Sequence, residues 1–140
     1  MSNFLLVNDM GKYSDYRVNI LGLFSTLENA VAVLREYHTL NSKNTETCDY
    51  LYIREMKMDK KTFPIPYYYG IDREYLNETL KESDFLYMLL DGKIVKYKTA
   101  SAYNPYINCS LSEFEEKKMS MVGYGNYKSI DCIYFETLSI

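Results

Sequence analysis

The sequence predicts an α+β fold in which two to three helices pack on one face of a mainly antiparallel sheet. Several short segments alternate apolar and polar residues, as half-buried strands do. Asp91-Gly92 separates two of these segments, and this dipeptide is typical of a two-residue hairpin turn. Two Ser-x-x-Glu capping boxes, at Ser25 and Ser112, each open an apolar pattern of helical period.

Six segments have the alternation, or the β-branched and aromatic composition, of strands. In the second of them, Tyr16, Val18, Ile20 and Phe24 are expected on one face. The predicted strands are residues 3–8, 16–24, 50–58, 85–90, 94–99 and 130–138. Turn residues follow the first strand at 9–12, and the glycines of 123–127 predict a flexible loop there.

Three helices are predicted between these strands. The first covers residues 25–39, and its apolar stripe consists of Leu27, Ala30, Val31, Leu34 and Tyr37. The second covers residues 72–81, begins at the capping residue Asp72, and turns Tyr75, Leu76 and Leu80 inward. The third covers residues 112–121, and its apolar pattern is weaker than that of the first helix.

The two halves of the chain read alike. Residues 3–59 and 85–138 both give the order strand, strand, helix, strand, which predicts a tandem ββαβ pseudo-repeat. We expect one domain over residues 1–140, with sub-units 1–60 and 84–140 joined by 61–83. A chain of 140 residues is long enough for one substantial core.

Composition excludes several classes of protein. The net charge is −3, which argues against a nucleic-acid binder, because phosphate neutralisation needs clustered basic residues. No apolar run has the length of a membrane span, and the N-terminus lacks a secretory signal. Three cysteines with no CxxC spacing predict free thiols. We therefore expect a protein that is neither secreted nor bound to a membrane.

The residues that could carry chemistry have structural explanations. His38, the single histidine, falls in a last helical turn, where the helix dipole favours it. Glu113, Glu115 and Glu116 fall in a first turn, where negative charge is stabilised. The aspartates Asp9, Asp91 and Asp131 are expected in turns or at strand edges. Since no nucleophile or phosphate-binding motif accompanies them, we predict no catalytic, cofactor or metal site and no enzyme.

A tyrosine-rich segment is the strongest candidate for binding. Residues 63–70 read FPIPYYYG, and the two prolines hold this stretch extended. A rigid extended segment loses little entropy on binding, and tyrosine is a common interface anchor. The alternative interpretation is a linker packed across the seam between the halves. The predicted interface residues are Phe63, Pro64, Pro66, Tyr67, Tyr68, Tyr69, Tyr103, Tyr106, Tyr124 and Tyr127.

Residues 19–30, which read NILGLFSTLENA, carry a resemblance. A strand ending in Gly-x-Phe-Ser-Thr that feeds a helix beginning x-Glu-x-Ala resembles small uncharacterised proteins of large DNA viruses and bacteriophages. The resemblance covers residues 3–59. It implies a viral or phage origin, and with it a location in the host-cell cytoplasm or in the virion. It carries over no activity and no catalytic residue.

Three hypotheses follow from these observations. The first is a non-catalytic interaction or assembly protein that binds through Tyr-rich loops to another protein, viral or host, or to a second copy of itself. The second is a protein that sequesters a small ligand or nucleotide in a Tyr-lined pocket between the two halves. The third is an enzyme of unrecognised type.

Overall fold

A continuous antiparallel sheet of seven strands forms the centre of the fold. The computed structural model describes residues 2–10, 17–41, 51–59, 83–99, 106–124 and 127–140. The strands are β1 (Ser2–Met10), β2 (Arg17–Phe24), β3 (Leu51–Lys57), β4 (Leu86–Leu90), β5 (Lys93–Thr99), β6 (Met119–Tyr124) and β7 (Tyr127–Leu138). Helix α1 (Leu27–Leu40) follows β2, and helix α2 (Leu111–Lys117) follows β5. The predicted α+β class with a mainly antiparallel sheet is confirmed.

Every neighbouring pair in the sheet is antiparallel, in the order β2-β1-β3-β4-β5-β7-β6. The predicted hairpin lies at its centre, where β4 pairs with β5. Asp91 and Gly92 form its turn with φ angles of 49° and 84°. Two successive positive φ values match the twist of the flanking strands, and Asp and Gly adopt them at low cost.

The two described helices lie on opposite faces of the sheet, so the prediction that the helices share one face is wrong. One core contains residues of α1, and we call its side of the sheet the α1 face. Its buried members are Leu6, Ala30, Val31, Leu34, Leu51, Ile53, Tyr87 and Ile94. The other core contains Phe114 of α2, on the α2 face. Its buried members are Val7, Tyr52, Leu86, Met88, Val95, Tyr97, Ile107, Phe114 and Cys132.

Side-chain alternation explains this arrangement. Leu51 and Ile53 belong to the α1-face core, whereas Tyr52 between them belongs to the α2-face core. Leu6 and Val7 of β1 divide in the same way. Successive side chains of a strand point to opposite faces, so consecutive apolar residues require cover on both sides.

Helix α1 forms where the apolar stripe predicted it. Ala30, Val31 and Leu34 are buried, and Thr26 accepts a hydrogen bond from the Asn29 backbone N–H at 3.2 Å. The N-cap is therefore Thr26, one residue beyond the predicted Ser25. A cap hydroxyl has to reach the amide three residues on, and Thr26 is the residue with the required extended backbone.

Helix α2 is shorter than predicted and begins earlier. Ser110, not Ser112, is its N-cap and accepts from the Glu113 N–H at 3.3 Å. The helix ends at Lys117, and its C-cap is Lys118, whose left-handed backbone (φ 61°) directs its N–H to the Phe114 carbonyl at 2.8 Å. The chain then enters β6, so the predicted helix to residue 121 is wrong. Of the predicted loop at 123–127, residues 123, 124 and 127 lie in strands, and 125–126 lie outside the described residues. Residues 119–124 instead pair with β7.

A β-bulge in β2 changes which residues face the core. The register shifts between Leu6 and Val7 of β1, which leaves Leu21 as an extra residue in β2. Phe24 pairs with Phe4 and packs on the α1-face core, whereas Val18 and Ile20 point to the α2 face. The predicted shared face of these three residues is therefore wrong, because the bulge inserts one residue into the alternation.

The two halves of the chain pair differently. In the first half β3 pairs with β1, the first strand of its hairpin. In the second half β7 pairs with β5, the second strand of its hairpin, and β6 is added at the edge. This difference in pairing does not confirm the tandem pseudo-repeat, which stays a prediction. The division into sub-units also stays a prediction. The predicted helix at 72–81 lies outside the described residues.

Leu34→Ala should lower the free energy of unfolding by about 2–5 kcal/mol, because Leu34 is fully buried between α1 and the sheet. Leu40→Ala is the matched control, since Leu40 ends the same helix and is 77% exposed. Its effect should stay within about 0.5 kcal/mol. Urea denaturation of both variants measures the difference, and equal effects would contradict the placement of Leu34.

Asp91→Ala should lower the free energy of unfolding by about 1–2 kcal/mol. The Asp91 carboxylate accepts from the Leu111 N–H at 2.7 Å, so it caps α2 from the hairpin turn. Asp91→Asn keeps an acceptor and should lose less. Asp59→Ala controls for backbone strain, because Asp59 has a similar φ of 61° and no hydrogen bond to its side chain among the described residues. If both alanine variants lose the same stability, the cap contributes nothing.

Candidate interaction surface

The predicted interface residues fall in three places. Phe63, Pro64, Pro66, Tyr67, Tyr68, Tyr69 and Tyr103 lie outside the described residues. Tyr106 is partly buried against the α2-face core, with its ring 5.8 Å from that of Tyr52 in an edge-to-face arrangement. Tyr124 and Tyr127 are opposite each other at the ends of β6 and β7. A Tyr-rich interface therefore stays a prediction.

The most apolar exposed surface of the described residues lies on β2. Val18, Ile20 and Leu23 are 51%, 68% and 64% exposed, and we call these three side chains the β2 row. Their partners on β1 are Asp9, Val7 and Leu5, which place the whole row on the α2 face. Val18 and Ile20 lie on the same face of the strand, as the alternation of the sequence predicts for these two residues.

The row is exposed because the two helices cover different parts of the sheet. Helix α1 packs on β1, β2 and β3, and it covers β2 from one face through Leu21 and Phe24. On the other face the α2-face core reaches Val7 of β1, with Leu5 at its margin. No described residue group covers β2 on that side.

The outer edge of β2 is also suited to strand pairing. β2 ends the strand order, and no described strand pairs with its outer side. Residues 18–24 carry no charged side chain. Edge strands in natural proteins are commonly protected by charges or prolines, because an unprotected edge pairs readily with another chain. At Gly22 the ring of Phe24 lies over the backbone. A Cβ atom added at Gly22 would lie 2.7 Å from this ring.

A second exposed surface lies on the α1 face of β4, β5 and β7. The Lys96 and Lys98 ammonium groups lie 4.2 and 4.5 Å from the centroid of the Phe85 ring. Phe135, 45% exposed, meets Phe85 edge to face, and Lys96 lies 3.8 Å from Glu136. This surface carries both positive and negative charges, and the face of the Phe85 ring is in contact with two ammonium groups. It is therefore less suited to apolar docking than the β2 row.

Asp131 is the centre of a buried polar cluster. Its carboxylate accepts from the Ser120 hydroxyl at 2.5 Å and from the Asn108 side-chain amide at 2.8 Å. The Thr99 hydroxyl donates to the Asp131 backbone carbonyl at 2.6 Å. Asp131 is the extra residue of a second bulge, in β7. Its neighbours Ile130 and Cys132 pair with Met121 and Ser120 of β6, and Asp131 has no partner there. The expectation of a turn or edge position for Asp131 is therefore wrong.

This cluster holds the bulge in place and offers no activated nucleophile. Burial raises the pKa of Cys132 well above its ordinary value, and the thiol donates to the Tyr106 carbonyl at 3.5 Å. Reactive cysteines need a lowered pKa. His38 belongs to α1, which packs on the opposite face. A single aspartate between Ile130 and Cys132 of an apolar strand was the sequence signal for this site.

A cavity of about 250 Å³ lies between the two halves of the chain. Its lining consists of Arg35, Gly92, Lys93, Thr137, Leu138, Ser139 and Ile140. One guanidinium nitrogen of Arg35 donates to the Ile140 backbone oxygen at 2.7 Å. The lining carries two basic residues and no tyrosine, so it does not match the predicted Tyr-lined pocket.

Metal-binding and membrane-spanning features are absent from the described residues. No group of three or more His, Cys, Asp or Glu side chains within the described ranges has the arrangement of a metal site. Neither α1 nor α2 is long and apolar enough to cross a bilayer.

Asp131→Asn should flatten the pH dependence of stability. Burial raises the pKa of Asp131 above its ordinary value of 3.8, although the hydrogen bonds from Ser120 and Asn108 oppose this. The folded chain therefore holds this proton to higher pH than the unfolded chain. The resulting stability is complete below pH 3.8 and is lost as pH rises through the folded pKa.

Urea unfolding at steps from pH 3.5 to 7 measures this effect. Relative to the wild type, Asp131→Asn should gain stability as pH rises, because an amide does not ionise. A pH-independent difference for Asp131→Asn would contradict the raised pKa.

Comparisons with known proteins give no relative on which to base a function. No protein-family model, curated protein or solved structure matches this chain. The resemblance to viral and phage proteins stays a prediction. The exposed β2 row, on a sheet edge that is uncharged from residue 18 to 24, is therefore the main basis for a functional hypothesis.

Proposed function

We propose that this chain is a non-catalytic protein-interaction or assembly protein, of viral or phage origin, that docks a partner strand on β2. The observation that carries the proposal is the β2 row, three exposed apolar side chains on an edge strand that has no charged side chain between residues 18 and 24. The proposal keeps the Tyr-rich residues of 63–70 as a second binding region and places the protein in the host-cell cytoplasm or the virion.

An added strand would both pair with the outer backbone groups of β2 and cover its exposed apolar side chains. A partner strand would hydrogen-bond to the outer backbone groups of β2, and its side chains would cover Val18, Ile20 and Leu23. Main-chain bonds supply affinity in this mode of recognition, and the apolar contacts supply selectivity. Exposed apolar residues are common as single residues, but a row of three on one strand face favours an interface.

A non-catalytic function fits the chemistry of the buried groups. The Asp131 carboxylate, the Ser120 hydroxyl and the Cys132 thiol are engaged with one another or with the backbone. On the α1 face the Tyr87 hydroxyl donates to Glu55 at 2.6 Å, and burial together with this carboxylate raises the Tyr87 pKa. These groups stabilise strands and bulges of the sheet.

The small-ligand hypothesis has one observation in its favour. The cavity beside α1 lies between residues of the two halves and carries Arg35 and Lys93. Its positive lining would favour a small anion over a neutral ligand. The cavity is open to solvent at the end of β7. The β2 row is the more unusual feature, because three neighbouring apolar side chains on one strand are exposed.

Site-specific photo-cross-linking tests the proposed function. A photoreactive phenylalanine derivative replaces Ile20 in the full chain. The chain is then expressed in cells of the proposed viral or phage host. Ile20 is 68% exposed, so the replacement should leave the fold intact. Irradiation should give one discrete adduct, because a docked strand places a single partner against this position.

The same derivative at Leu40 is the control, since Leu40 is 77% exposed at the end of α1, outside β2. An adduct at Ile20 and none at Leu40 supports the proposal. Equal adducts at both positions, or none at Ile20, would reject it. A native mass spectrum of the purified chain that retains a small anion would favour the ligand hypothesis instead.

A further inference from the structure

We infer that the partner strand at β2 is β2 of a second copy of this chain, so that two seven-stranded sheets join edge to edge. This inference rests on the proposed function and names the occupant of the same surface. It follows from the positions of the exposed residues along β2, which are complementary to themselves when the strand is reversed.

The register of the joined strands follows from the faces of β2. An antiparallel arrangement that sets Val18 opposite Leu23 of the second copy also sets Asn19 opposite Gly22. Val18 and Leu23 both point to the α2 face, and Asn19 and Gly22 both lie on the α1 face through their partners Asn8 and Leu6. Cross-strand neighbours share a face in an antiparallel pair, so both pairings are allowed.

The two-fold axis repeats each pairing. Val18 meets Leu23 twice, and Ile20 of both copies lies between these two contacts. The joined rows then form one apolar surface of six side chains on the α2 face. The bulge at Leu21 lies at the centre, so the ladder is carried by its two ends.

Charge does not oppose pairing with a second copy. No charged side chain lies between residues 18 and 24, so the reversed strand sets no like charges opposite each other. Position 17, an arginine, falls opposite position 24, a phenylalanine. A closed two-fold contact uses the same surface on both chains, so assembly stops at two. Pairing of β2 with the other edge strand, β6, would instead leave free edges and give open chains.

The size of the contact predicts a weak dimer. A standard protein interface contains roughly 20–30 residues on each side. A strand of 8 residues presents fewer, although it adds main-chain hydrogen bonds. We therefore expect a dissociation constant of about 1–100 μM.

Sedimentation velocity of the full chain over about 1–500 μM tests the inference. The wild type should pass from monomer to dimer, with a mass that stops at twice that of one chain. Leu23→Lys and Ile20→Lys should each weaken the dimer at least tenfold, because two copies would set ammonium groups into the joined rows. Leu40→Lys is the matched control and should dimerise as the wild type does.

Three results would overturn the inference: a wild type that stays monomeric to the highest concentration, a mass that grows beyond two chains, or equal loss in Leu40→Lys. Circular dichroism checks that each variant is folded. Only a variant with the wild-type spectrum is interpreted, and Ile20→Lys replaces Leu23→Lys if the latter unfolds. A monomeric wild type whose Ile20 position still cross-links another protein would leave the proposed function standing.

A disulfide trap tests the register. Val18→Cys mixed with Leu23→Cys should form a cross-linked dimer faster than either variant alone, because opposite Cα atoms in an antiparallel pair lie within disulfide range. The wild type, which carries Cys48, Cys109 and Cys132, gives the background rate. A mixture that cross-links no faster than the single variants would reject this pairing.

Discussion

The fold depends on central strands that are apolar on both faces. β1, β3, β4 and β5 each contribute buried side chains to the α1-face core and to the α2-face core. A sheet of this kind is stable only if each face is covered, and a two-layer arrangement would leave one core in water. Helix α1 covers one face and the segment from Tyr106 through α2 covers the other. The Asp91-Gly92 turn contacts both helices, through the Leu111 N–H and through Arg35.

The same division of cover accounts for the β2 row. Helix α1 contacts β1, β2 and β3, whereas α2 contacts β6, so α1 is placed over the first half of the sheet and α2 over the second. β2 is buried by α1 on one face and lies beyond the reach of α2 on the other. The bulge at Leu21 then turns Val18, Ile20 and Leu23 toward the uncovered face. An exposed apolar edge is thus a consequence of where the two covering elements fall.

The buried polar groups serve the sheet. Asp131, Ser120, Asn108 and Thr99 hold the bulge of β7, and Glu55 receives hydrogen bonds from Tyr87 and Ser2 on neighbouring strands. These hydrogen bonds connect neighbouring strands and hold a bulge. The proposed docking site is at the edge of the sheet, where the outer backbone groups of β2 lie beside exposed apolar side chains.

Local sequence patterns determined the elements of this protein. The capped apolar stripe of α1, the Asp-Gly hairpin and the positions of most strands were predictable because short-range steric and hydrogen-bonding preferences specify them. Tertiary structure alone decided which face each helix covers, where β2 and β7 bulge, and that residues 119–124 form a strand. A bulge inserts one residue and inverts the alternation beyond it, so the facing of Phe24 and the burial of Asp131 depend on pairing with other strands. The β2 row was identifiable as a strand from its sequence, but its exposure depends on elements distant in the chain.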